Sequence, residues 1–115
     1  MSPLFDPREL LERVDNDWEF LADTVQMLGT DGRELMGEIR RAAERGDAPT
    51  VGYAAHTIKG MISNFCSPAA HASASEVESL GKRGDMAAAP EAVRVLDARL
   101  EELIADLTTF LGNRA

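Results

Sequence analysis

The chain has 115 residues, 44% of them apolar, enough for one domain with a single buried core and too apolar for wholesale disorder. Its formal net charge is -8, so its surface repels nucleic acid and anionic lipid. The lone Cys66 excludes an internal disulfide, the N-terminal "MSPLFDPREL" lacks a signal-peptide pattern, and no apolar run reaches the roughly 18 residues of a membrane span. The expectation is one cytoplasmic domain over residues 1–115, with neither nucleic acid nor membrane as a partner.

In chain order, Asp6-Pro7 with Glu9 predicts a short helix from Pro7 to about Val14, with Leu10, Leu11 and Val14 turned inward. Asn16 with Glu19 repeats the capping signal, and Trp18, Leu21, Ala22, Val25 and Leu28 follow at three- and four-residue steps up to a stop at Gly29. Asp31 with Glu34 predicts a new start, an inner face of Leu35, Ile39, Ala42 and Ala43, and a stop at Gly46. Asp47 and Pro49 open the next helix, and Ser67-Pro68 both ends it and begins a fifth segment running to about Arg83. The inner face of that segment (Ala70, Ala74, Val77, Leu80) is thin. After a break at Gly84-Asp85, Pro90 sits in the first turn of a last helix with a strong stripe: Val93, Leu96, Leu100, Leu103, Leu107 and Phe110.

No sustained apolar–polar alternation marks a strand, and short loops make consecutive helices antiparallel neighbours. The predicted fold class is all-α: an antiparallel up-down four-helix bundle with a short extra N-terminal helix, the first helix and second segment covering one end. A monomer is expected, although the unequal stripes of the last two helices leave room for a helix-mediated dimer. The initial methionine and the lack of a linker favour a stand-alone protein over an excised domain.

The stretch "AAHTIKGMISNF" (residues 54–65) carries one of only two histidines in the chain. At about 100° per residue, Val51, Ala55, Ile58, Ile62 and Phe65 fall on one core-facing arc. His56, Gly60, Ser63 and Gly52 fall toward the solvent side by the same step, with Lys59 alongside. Glycine in a helix interior costs about 1 kcal/mol relative to alanine, and an exposed Gly60 has no core contact to demand it. Close approach by another surface is a reason to keep it. Gly52 and Ser63 would keep the surrounding surface low, so that His56 stands up from a shallow patch with Lys59 beside it. Each residue alone has a bland reading: an exposed histidine, a drifting glycine, a solvating lysine. Their joint placement opposite a clean apolar stripe suggests an anion carried on a histidine and presented to a large partner.

These residues resemble a known signature. "AHTIKG" is similar to the His-x-Leu-Lys-Gly motif of histidine-containing phosphotransfer (HPt) domains. Asn64 stands where that family often has asparagine, and Val77-Glu78 resembles its Leu-Glu pair on the following helix. "GKRGD" (residues 81–85) resembles the usual end of that helix, and "AERGD" (residues 43–47) the break before the histidine helix. The resemblance runs from about Trp18 to the last helix. Ile58 replaces the commoner leucine, and Met61 and Cys66 stand where serine and glycine are frequent. The end of the histidine helix is therefore expected to differ in shape.

The resemblance implies a phosphorelay intermediate that exchanges a phosphoryl group between His56 and an aspartate of response-regulator receiver domains. A hybrid sensor histidine kinase is a further candidate partner. His56 is then the phosphoacceptor, Lys59 its electrostatic support and Gly60 its steric clearance. Gly52, Ser63, Asn64 and Lys82 are candidate contacts to the partner or phosphate. Neutral imidazole is a competent nucleophile near pH 7, since histidine's ordinary pKa is about 6.5, and an exposed site needs no adjacent base. Phosphoryl transfer depends mainly on alignment and charge neutralisation. No cofactor of its own is expected, Mg²⁺ coming with the receiver, and neither is independent kinase or phosphatase activity. A zinc site using His56 and His71 lacks the usual ligand spacing. The alternative is a non-phosphorylated helical docking module for two-component signalling proteins. No paired carboxylates, nucleophile–base set or phosphate loop supports an enzyme.

Overall fold

Asp6 and Asp17 each begin a helix by the same device, a carboxylate that accepts from backbone N–H groups of the first turn. The computed structural model describes residues 4–113. Helix α1 spans Pro7–Arg13 and α2 spans Trp18–Met27. A π-helical turn, Leu28–Gly32, leads without a break into α3, Arg33–Glu44. Helix α4 spans Ala48–Ile62 and runs into a 3₁₀ turn, Ser63–Phe65; α5 spans Pro68–Arg83 and α6 spans Ala89–Gly112. Among the described residues there is no strand.

Helix α3 packs on α4, α4 on α5, α5 on α6, and α6 back on α3. Direction is visible in the cross-helix pairs. Arg33 meets Glu101 and Arg40 meets Asp97, so α3 and α6 run oppositely. His56 faces Glu78 while Gly52 meets Gly81, so α4 and α5 do too. The fold is an all-α bundle, as the stripes predict, and the core holds Leu21, Val25 and Leu28 from α2 and its turn; Val51, Ile58 and Ile62; Val77; and Leu96, Leu100, Leu103 and Leu107. On α3 it is Met36, with Ile39 and Ala42, that is buried, while the expected Leu35 and Ala43 are only half-buried. At one end Phe110 packs between Phe5 (ring centroids 5.5 Å apart) and Trp18 (5.1 Å), which ties the N-terminal segment to α6.

Two boundaries differ from the sequence expectation. Asn16 does not cap α2; it and Asp15 adopt positive φ (60° and 53°), and Asp17 is the cap. Asn and Asp tolerate the left-handed region better than other non-glycine residues, so both are spent on the turn. Gly29 and Asp31 mark neither an end nor a start, because α2 and α3 form one continuous helical run. The buried positions Leu21, Val25, Leu28, Gly32, Met36 and Ile39 explain this. Two successive four-residue steps would rotate Met36 away from the stripe, and one wider turn brings it back. The second segment is thus an extension of the bundle wall. Gly46 and Gly84 end their helices as predicted, both at positive φ.

The end of α4 retains the backbone shape that glycine would favour. Cys66 sits at φ 55°, ψ 44°, in the left-handed region. The conformational cost of that turn falls on cysteine.

Candidate functional site

Helix α4 presents His56 to solvent, with 67% of its side chain exposed. Its neighbour on α5 is the unusual group. Glu78 lies on the inward arc of α5 beside Val77 and Gly81, and its side chain is only 5% exposed. A carboxylate on that face is costly to bury unless paired. Here it has three partners. Its Oε2 lies 2.8 Å from His56 Nδ1 and 3.0 Å from Lys82 Nζ, and its Oε1 lies 2.6 Å from Lys59 Nζ. The hydrogen bond from Lys59, joined by those from Lys82 and His56, holds the Glu78 carboxyl down at about 2, against the opposing effect of burial. Glu78 is therefore an anion across the physiological range.

That charge state fixes the imidazole. A carboxylate only accepts, so Nδ1 carries the proton and donates it to Glu78. In the neutral ring the lone pair is then on Nε2. The arrangement gives an exposed nucleophilic nitrogen whose ring orientation is set by a buried anion, with two ammonium groups on that same anion.

The close approach of α4 and α5 makes this reach possible. A Cβ on Gly81 would lie 2.4 Å from Gly52 N and 2.6 Å from Gly52 Cα, so position 81 admits only glycine without movement. Farther along, the inner face of α5 is also made of small residues, Ala70 and Ala74, both fully buried. Gly52 accordingly is buried against α5 and is not part of an open, low surface as expected from its angle alone. Its angular position lies at the α4–α5 seam.

Gly60 is exposed, and a Cβ there would meet nothing within 4 Å. Nothing inside the protein requires glycine at that position. Lys59 is mostly buried along its stem and engaged by Glu78, and Lys82 joins the same carboxylate. Ser63 and Asn64 are exposed but not gathered with the others. They lie about 10 Å farther along the axis from His56, and the Ser63 hydroxyl donates to the Gly60 carbonyl at 2.7 Å. His71 lines a separate hollow with Glu9, Ser63, Cys66, Ser67 and Pro68, away from His56. Among the described residues no three His, Cys, Asp or Glu side chains converge as a metal site. No helix among them is long and apolar enough to cross a membrane.

The family model of the Hpt domain matches residues 23–106. The chain belongs to the Hpt domain family. No curated protein and no solved structure matches it. Membership gives this Hpt domain a phosphotransfer role in two-component signalling, as a phosphocarrier module that works with receiver domains and kinases. Glu78 is the site residue that sequence reasoning left without a role. Its signal was present: an acid on the buried arc Ala70–Ala74–Val77–Gly81, one turn before Lys82.

Proposed function

We propose that this Hpt domain accepts a phosphoryl group on Nε2 of His56 from the phosphoaspartate of a receiver domain and returns it to such an aspartate. The observation that carries the reading is the 2.8 Å contact between His56 Nδ1 and the buried, ionised Glu78. In the forward step the Nε2 lone pair attacks phosphorus, the bond from phosphorus to the aspartyl oxygen breaks, and the carboxylate leaves. The ring keeps its Nδ1 proton and gains a positive charge. Glu78 faces that charge directly, so its anion stabilises the product as it forms. Lys59 and Lys82, both paired with Glu78, would supply positive charge near the phosphoryl group as it arrives. Mg²⁺ belongs to the receiver in this reading. Gly60 leaves room for the receiver's backbone on one side of the ring.

The test is transfer from a panel of phosphorylated receiver domains with Mg²⁺, wild type beside His56→Gln. Acid-labile, base-stable label on the wild type alone supports the reading. Equal labelling of the variant removes His56 from it, and no label from any receiver leaves the docking-module alternative.

A further inference from the structure

We infer that the hollow between α4 and α5 beside His56 is a docking pocket for an apolar side chain of the receiver partner, and that it helps select which receivers are served. This rests on the phosphorelay reading above. The hollow, about 340 Å³, has a floor made by Ala48, Pro49 and the Gly52–Gly81 crossing. Tyr53 lines it as well, and His56, Lys82 and the buried Glu78 supply its polar lining.

The two glycines of the crossing are not equivalent. Gly81 is required by contact, because its Cβ would overlap Gly52 backbone. At Gly52 a Cβ would sit 3.5 Å from Gly81 C and Lys82 N, which is ordinary contact. Alanine there would fit and would favour the helix by about 1 kcal/mol. A longer side chain at 52 would press on the α5 backbone at Glu78, Gly81 and Lys82, residues that also line the hollow. Gly52 and Gly60 stand four residues before and after His56, one turn to either side. Gly60 is not explained by packing within the chain, whereas Gly52 lies at the buried seam with α5, where a small residue is needed. Gly60 opens flat space, and Gly52 opens a recess.

Tyr53 adds a second observation. It is 74% exposed, the most exposed large apolar side chain among the described residues, and it borders the recess. An aromatic body with a polar tip suits a surface that is covered on binding. Coverage follows from geometry, since His56 itself lines the hollow. A protein that brings a phosphoaspartate into line with Nε2 must lie over it. The largely apolar lining, with His56 and Lys82 at its edge, suits one apolar side chain set among polar neighbours.

The experiment uses the full chain with two phosphodonors: a phosphorylated receiver domain that labels the wild type, and phosphoramidate, which is too small to need the pocket. Tyr53→Ala is expected to lower kcat/KM from the receiver about tenfold or more, chiefly through KM. Labelling by phosphoramidate should stay within about twofold, because the chemistry at His56 is untouched. The circular dichroism spectrum of Tyr53→Ala should match that of the wild type. Unchanged receiver kinetics in Tyr53→Ala overturns the inference, as does an equal loss with both donors. A dimer of the free wild-type chain that Tyr53→Ala dissociates overturns it as well, by making a second copy the occupant. Failure of every receiver to label the wild type would instead refute the phosphorelay reading itself.

Discussion

Replacing Glu78 by glutamine removes a charge while keeping the shape, and it separates what the carboxylate does for the fold from what it does for the ring. The wild-type carboxyl is lowered from 4.5 to about 2 in the folded protein. A depression of that size is worth at most about 3 kcal/mol at neutral pH. The His56 and Lys82 side chains are 67% and 70% exposed, so solvent screens much of this. A realised value of about 1–2 kcal/mol is expected. Because the folded value is the lower one, the stabilisation is full above about pH 4.5 and is lost as pH falls toward 2. Urea unfolding followed by circular dichroism, at several pH values from 7 to 2.5, should show Glu78→Gln less stable at pH 7. The gap should close as the wild-type carboxylate is protonated. A gap that is constant across this range, or below about 0.5 kcal/mol at pH 7, would refute the claim that a buried anion holds the site together.

Three further outcomes follow from backbone geometry. Cys66→Gly should raise stability by about 0.5–1 kcal/mol, because the left-handed conformation costs cysteine about 1–2 kcal/mol and glycine's greater unfolded freedom offsets part of the gain; a lower unfolding midpoint in urea would contradict this. Gly81→Ala should destabilise by about 2–3 kcal/mol through overpacking against Gly52. It should also loosen the Glu78 contacts, visible as a shift of the His56 ring signals in NMR; a variant of wild-type stability would show that the crossing yields easily. Gly60→Gln should stabilise α4 slightly, by up to about 1 kcal/mol, and slow transfer from a receiver. Unchanged transfer rates would remove the steric role of Gly60.

Much of the bundle was legible because its signals are local. Proline with a capping aspartate opened α1 and α4, proline alone opened α6, glycines at positive φ closed α3 and α5, and a clean stripe marked α6. The join between α2 and α3 was not legible. Gly29 and Asp31 are ordinary punctuation in sequence, and only the phase of Leu28, Gly32 and Met36 against α6 requires the helix to continue with one wide turn. The site divides in the same way. His56, Lys59 and Gly60 share one helix, so their spacing alone placed them. Glu78 and the burial of Gly52 depend on how closely α5 lies on α4, and that distance is set by Gly81, a residue read only as part of a helix end.

The most direct measurement is the identity of the phosphorylated nitrogen, read by ³¹P and ¹⁵N NMR on the chain after transfer from a receiver domain. Phosphate on Nε2 of His56, with Nδ1 still protonated and bonded to Glu78, is the expected result. Phosphate on Nδ1, or on any other residue, would contradict the central claim that the buried carboxylate chooses the nucleophile.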